Sequence, residues 1–333
     1  MKRRNFIKSV GLSSAMLLVP YNFGAGLSDK QRLVRRHQIH MGTKVELVIK
    51  ECEYSKESIY DAFDALAQID SLLSLYRNTS ELTHVNNMYG LWHGVTPHFI
   101  KVATTARRIG EITDGAFDVT ILPIMYHWGF YNCDPSSRSL RQMLELVDFN
   151  QLQVQEQKVR IASSGYGVDF GGIAKGYGLD RMAHVLRNRH IRCGLISAGG
   201  DVLAMGRPEP ERLWRIGIRS PYHPNTLCAT VEIEDEAVAT SGGYENYKIN
   251  QGRRITHILN PRLGTSTDHV HSATIIAPDA MIADALATAT YVMGIESSQR
   301  LLNDMPYVEG IWIDQHGQFI FTRGIQNRLQ IVN

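Results

Sequence analysis

The chain predicts an α+β fold: one domain of mixed and antiparallel sheets with flanking helices. Three observations carry this prediction. Strand-like and helix-like segments follow one another in no regular strand–helix–strand order, which disfavours a doubly wound sheet. The glycine-containing stretch VDFGGIAKGYGLD at 168–180 has neither the G-x-x-x-x-G-K-[ST] spacing of a P-loop nor the G-x-G-x-x-G of a dinucleotide fold. No repeat or low-complexity linker divides the 333 residues after about residue 30, so one domain with an insertion is the simplest partition.

The elements follow in order. Val45, Leu47 and Ile49 alternate with Glu46, Val48 and Lys50 as an early strand, and Ile59, Phe63, Leu66, Ile69 and Leu73 then recur at helical spacing. Thr96-Pro97 supplies an N-cap and first-turn proline for a helix running to Thr113, with Asp114-Gly115 as its stop. A second polar start, Asp134-Pro135-Ser136-Ser137, leads into Leu140, Met143, Leu144 and Leu146. Val159 and Ile161, the turn Ser163-Ser164-Gly165 and the segment 166–170 read as a hairpin. After Gly172 the period changes, and Leu179, Met182, Ala183 and Leu186 mark one face of a helix. Further strands are predicted at 194–198, 214–218, 237–240, 257–259 and 310–321, and a helix carries the alanine-rich segment around 283–289.

Composition is that of a globular protein, 44% hydrophobic and 20% charged. The 35 basic and 33 acidic residues are mixed along the chain, so no field favours a nucleic-acid backbone and no nucleic-acid partner is expected. The basic cluster at the start has another meaning. Arg3-Arg4-Asn5-Phe6-Ile7-Lys8 matches the twin-arginine export pattern, and a weakly apolar run at 9–20 follows it. That run is short of the roughly 20 residues a membrane span needs. Residues 1–28 are therefore expected to be an export segment recognised by the twin-arginine machinery, and 30–333 the folded domain. The expected location is the periplasm, with membrane association if the segment is retained.

Cys52, Cys133, Cys193 and Cys228 have no zinc or C-x-x-C spacing. A passenger folded before export, in a reducing compartment, cannot depend on disulfides.

Two stretches hold candidate chemistry. Gly171 and Gly172 stand near a helix N-terminus, where free N–H groups favour an anion; Lys175 one turn on would neutralise a phosphate, and Asp169 would hold a ribose hydroxyl, an adenine amine or a metal shell. Taken alone, a tight strand-to-helix connection explains the stretch equally well. Asp284 and Thr288 are four apart on one helix face and offer hard oxygens suited to magnesium. An exposed aspartate on an alanine-rich helix is the plainer reading of that pair by itself.

Six blocks in order then carry a resemblance. They are Met41-Gly42-Thr43; 73–76 with 80–82; 115–120 continuing to Pro123 and Trp128-Gly129-Phe130; 168–180 with Ala198-Gly199-Gly200-Asp201; Thr240 to Glu245 with Thr256 to Gly264; and 283–289. Together they resemble the ApbE family, the FAD:protein FMN transferases. The resemblance implies an FAD site between two lobes and transfer of FMN from FAD to a threonine or serine hydroxyl of an acceptor flavoprotein, with release of AMP. It implies that Met41, Tyr76, Ala116, Phe117, Asp118, Asp169, Lys175 and Ile258 contact FAD. Asp284, Thr288 and the main-chain carbonyl of Gly172 would bind magnesium. The acceptors implied are FMN-binding domains of membrane redox complexes. His257 is the side chain expected to take the hydroxyl proton, because an imidazole titrates near working pH, with packing or orienting FAD as its other reading, and Lys175 would stabilise charge as the phosphorus is attacked. An FAD pyrophosphatase and a flavin-binding carrier are the alternatives. One departure stands out: Asn260 occupies a position where the family usually has aspartate.

Overall fold

The computed structural model describes residues 32–131, 138–223, 225–244 and 246–332. The twin-arginine segment with its apolar run, Cys133, the polar start at 134–137 and Glu245 lie outside the described residues. Among the described residues no helix is long and apolar enough to cross a membrane.

β1 (Leu33–His40) turns through Met41 and Gly42, both at positive φ, into β2 (Thr43–Lys50). α1 (Ser55–Leu73) buries Ile59, Phe63, Leu66, Ile69 and Leu73, the residues whose spacing predicts it. α2 (Glu81–Asn87) and β3 (His93–Gly94) lead to α3 (Pro97–Ile112), where Thr96 accepts the Phe99 N–H as N-cap and Pro97 holds the first turn. α4 (Leu122–His127) and α5 (Leu140–Leu144) form a smaller lobe, and α5 starts at Ser139 with Gln142 in a reciprocal capping box.

β4 (Leu152–Gln155) and β5 (Lys158–Ile161) pair as a hairpin, which corrects the expected pairing of Val159 and Ile161 with 166–170. The physical reason is local. Asn86 supplies the ladder that a strand would have given: its amide donates to the Val168 carbonyl at 2.8 Å and accepts the Val168 N–H at 2.7 Å.

α6 (Ala174–Asn188) is followed by β6 (Gly194–Ala198), β7 (Asp201–Met205), β8 (Trp214–Arg219), β9 (Leu227–Ile233) and β10 (Ala237–Gly242). The hairpin β11 (Tyr247–Asn250) and β12 (Arg253–Thr256) ends one residue before the strand expected at 257–259. There the Thr256 hydroxyl donates to the Ile258 carbonyl at 2.9 Å and bends the chain. β13 (Val270–Ala277), α7 (Ala280–Met293) and α8 (Ile295–Asn303) come next. The strand expected over 310–321 is two, β14 (Glu309–Asp314) and β15 (Phe319–Phe321), because Asp314 Oδ1 accepts the N–H groups of both His316 and Gln318 and folds a turn between them. β16 (Leu329–Ile331) closes the described chain.

Eight strands form one antiparallel sheet in the order β1-β2-β6-β7-β10-β13-β14-β15. Side chains alternate across it. Val45, Leu47 and Ile49 of β2, Ile196 of β6, Leu203 of β7 and Ile275 of β13 face the main core shared with α1, α3, α6 and α7. Val48, Leu195, Val202, Val238 and Ile276 face the opposite way, onto the three-stranded sheet β16-β9-β8. A third apolar cluster joins α4 and α5 to Ile255 and Leu259.

The closest approach in the molecule that bears on function is between the starts of α6 and α7. A Cβ at Gly176 would lie 2.1 Å from the Ala280 carbonyl oxygen, so only glycine lets these backbones meet. Across the same junction the Asp180 carboxylate accepts the N–H groups of Ala280 at 2.8 Å and Met281 at 2.9 Å, capping α7 from α6. Gly176→Ala should lower stability by about 1–3 kcal/mol or more, since the methyl meets backbone rather than a yielding side chain. Urea unfolding measures it, and an unchanged midpoint would show that the two helices separate freely.

Candidate active site

A cleft opens between the main core and the α4–α5 lobe, with a cavity of about 200 Å³ inside it. Its mouth is open to solvent, so a ligand longer than the cavity can extend out of it. Its walls come from the turn 116–121, the stretch 169–175, the β6–β7 turn at Gly199 and Asp201, the end of β10, the loop 257–261, and Asp284 and Thr288 of α7.

At its floor lies a three-membered ion cluster. Lys175 Nζ stands 2.9 Å from Asp284 Oδ1 and 3.0 Å from Asp201 Oδ2, and the two carboxylate side chains are 5% and 4% exposed. Asp284 Oδ2 accepts the Gly176 N–H at 3.1 Å. Burial works against the lysine's charge, but Asp201 and then Asp284 outweigh it and hold the ammonium above its ordinary value. Asp201 arrives through a turn that needs glycine: Gly199 and Gly200 have φ of +54° and +103°.

Thr288, one turn beyond Asp284 on α7, meets the other wall. Its Oγ1 is 3.3 Å from Ser241 Oγ, and a Cβ placed on Gly172 would stand 3.2 Å from it. Asp284 and Thr288 thus share one face of α7, as their spacing predicts, and Gly172 stands against Thr288. Among the described residues no three His, Cys, Asp or Glu side chains group to hold a metal. A carboxylate, a hydroxyl and a main-chain carbonyl are a sparse hard-oxygen set, and that fits magnesium, which takes few protein ligands and completes its shell with water and phosphate oxygens.

Two other carboxylates of the cleft serve the chain itself. Asp169, 8% exposed, accepts the Tyr131 hydroxyl at 2.5 Å and the Gly171 N–H at 2.7 Å; burial pushes its carboxyl up against both bonds. Asp118 accepts the Thr120 N–H and hydroxyl at 2.7 and 2.6 Å and the Phe149 N–H at 2.9 Å, while burial pushes its carboxyl up to about 6. Both shape the wall on which Ala116 and Phe117 lie.

His257 lines the cleft with Nδ1 3.1 Å from the Asn246 carbonyl oxygen. A carbonyl accepts, so Nδ1 carries the proton and Nε2 keeps its lone pair. Burial, with Lys175 adding to it, holds the imidazole below its ordinary value, so it is neutral at neutral pH. Ile258 is buried in the same wall. Asn260 turns away from this chemistry: its Oδ1 accepts the N–H groups of Arg262 at 2.9 Å and Leu263 at 3.2 Å and folds the loop. An amide oxygen serves that turn as a carboxylate would, which accounts physically for the missing charge.

Ala116, Phe117, Asp118, Asp169, Gly172, Lys175, His257, Ile258, Asp284 and Thr288 all line the cleft. Met41 and Tyr76 do not. Met41 sits on the β1–β2 turn against α6, its Sδ 3.3 Å from where a Gly178 Cβ would be. Tyr76 is 70% exposed and tilts against Tyr131, ring centroids 5.6 Å apart, at the cleft's edge. Sequence reasoning missed Tyr131, whose hydroxyl holds Asp169, and gave no separate role to Asp201; its place after Gly199-Gly200 was the available signal.

The geometry meets known proteins at this point. The model of the ApbE family matches residues 41–312. An FAD:protein FMN transferase of Escherichia coli (strain K12) is 32% identical over 260 residues, 74% of this chain and 73% of that protein. One of Treponema pallidum is 30% identical over 83% of this chain and 82% of its own. Among solved structures, the ApbE protein of Thermotoga maritima superposes with a TM-score of 0.82 at 27% identity, over 89% of this chain and 99% of that one. The flavin transferase ApbE of Vibrio cholerae gives 0.79 at 25%, over 90% and 99%. With the α+β architecture, the cleft and the conjunction of its six sequence blocks all in agreement, the chain belongs to the ApbE family.

Proposed function

We propose that this protein transfers FMN from FAD to a threonine or serine hydroxyl of an acceptor flavoprotein and releases AMP, with magnesium, in the periplasm. The observation that carries the reading is the Lys175–Asp284–Asp201 cluster, both its carboxylates buried, at the floor of the cleft, in a chain whose relatives are named FAD:protein FMN transferases. The acceptors are FMN-binding domains of membrane redox complexes.

The residues divide the work. Ala116, Phe117 and Ile258 provide the apolar wall for FAD, Tyr76 an aromatic edge at the mouth, and Met41 support behind α6. Asp118 and Asp169 hold that wall in shape through Thr120, Phe149, Tyr131 and Gly171. Asp284, Thr288 and the Gly172 carbonyl would hold magnesium, which when bound neutralises charge on the pyrophosphate. Lys175 faces the same charge and meets what develops toward the departing AMP phosphate. The acceptor oxygen bonds to the phosphorus on the FMN side, the bond from that phosphorus to the AMP oxygen breaks, and His257 Nε2 takes the hydroxyl proton.

Incubation with FAD, magnesium and an FMN-binding acceptor domain should add an FMN-sized mass to the acceptor. Free FMN and AMP alone would favour an FAD pyrophosphatase instead, and unchanged bound FAD a carrier.

His257→Gln should lower kcat by about a hundredfold, within the range of general-base catalysis, with the KM for FAD nearly unchanged. Because the imidazole sits below its ordinary 6.5, the wild-type rate should rise on leaving acid and level off by neutral pH. A variant with wild-type kcat would remove His257 as the base. For export, Arg3→Lys with Arg4→Lys should leave the protein in the cytoplasm, and undiminished periplasmic protein on fractionation would defeat the twin-arginine route.

A further inference from the structure

Resting on the metal and FAD site just proposed, one contact bears on how that site fills. The oxygen of Asp284 that the main chain leaves available, Oδ1, already carries the Lys175 ammonium at 2.9 Å; the other oxygen holds the Gly176 N–H. Asp201, 4% exposed at its side chain, grips the same ammonium at 3.0 Å. The cluster lies where charges attract and repel far more strongly than in water. One ammonium against two carboxylates leaves a single net negative charge. A divalent ion arriving alone would reverse that sign and stand beside an ammonium whose side chain is only 25% exposed. A pyrophosphate arriving with the ion restores the negative sign and gives the ammonium a new partner.

We infer that Lys175 is the resident counter-ion of Asp284, with Asp201 as the positioning residue that retains it, so that the site takes a divalent cation together with a dinucleotide's pyrophosphate and not before it. Asp201 then has a function that packing alone would not require. It keeps the ammonium in the site when Asp284 turns to the cation, so the lysine moves over to the pyrophosphate and is not expelled.

The test uses Mn²⁺ as the cation, followed by the paramagnetic resonance signal of the free ion, and ADP as a pyrophosphate with no flavin to transfer. Wild-type protein should bind Mn²⁺ weakly alone and at least about tenfold more tightly with ADP, beyond what Mn²⁺–ADP association in solution explains. The informative variant is Lys175→Met with Asp201→Asn, which removes one positive and one negative charge and so keeps the site's net charge. A mere field effect predicts wild-type Mn²⁺ affinity for it. Loss of a resident counter-ion predicts binding about tenfold tighter without ADP, the scale of one competing charge-assisted hydrogen bond. Circular dichroism checks the variant's fold, and the wild-type comparison stands by itself if the variant does not fold. Equal Mn²⁺ affinity in the two proteins, or wild-type binding as tight without ADP as with it, overturns the inference while leaving the site reading intact. No Mn²⁺ binding by wild type even with ADP would sink the metal site itself, and the inference with it.

Discussion

The structure depends on one contact between two helix starts. Asp284 of α7 reaches back to the first turn of α6, where it takes an ammonium on one oxygen and a main-chain N–H on the other. Asp180 of α6 returns the connection by capping α7. Each helix thus completes polar groups that the other leaves open at its N-terminus. Gly176 is the condition for both, because any side chain there would part the backbones. A buried ion pair by itself is poor evidence of stability. Its value here is geometric: it fixes the positions of Lys175, Asp284 and Thr288 to the same junction that packs the core.

The large sheet serves as a partition. Main core and second core share its strands but not its side chains, since successive residues point to opposite faces. The site is built wholly on the helix-bearing side, at the ends of β6, β7 and β10. The three-stranded sheet on the other side contributes no lining residue; it covers the partition's second face.

Much of this was legible in the sequence where a local rule had no competitor. Thr96-Pro97 announces α3 because capping is decided within four residues. The spacing of Ile59 to Leu73 gives α1 because one face is buried and the other wet. β7 and β13 were missed for the opposite reason: nearly every residue in them is buried, so the alternation that marks a strand is absent. The false hairpin at 166–170 arose because extended backbone there is satisfied by the amide of Asn86, 82 residues away in sequence. The site divides likewise. The spacing of Asp284 and Thr288 is a property of one helix and could be read directly. That Lys175 would pair with Asp284 and Asp201, and that Tyr131 would hold Asp169, are meetings of distant segments that no local pattern records.

The loop that Asn260 folds carries a last consequence. Arg262, two residues on, pairs at 2.5 Å with Asp114 and also donates to its carbonyl, joining the segment that contains Pro261 to the one that contains Ala116. Both partners are largely exposed, at 66% and 89%, so water and salt compete for them and the pair contributes little to holding the fold. That exposed pair is the outer link between the two loops, while Trp128 Nε1, donating to the Gly264 carbonyl at 2.6 Å, and the buried Leu259 hold the same loop to the α4–α5 lobe from within. Salt outside the cleft therefore acts on the outer link between the two loops far more than on the shielded charges at the floor, so ionic strength reaches the rim and stops there.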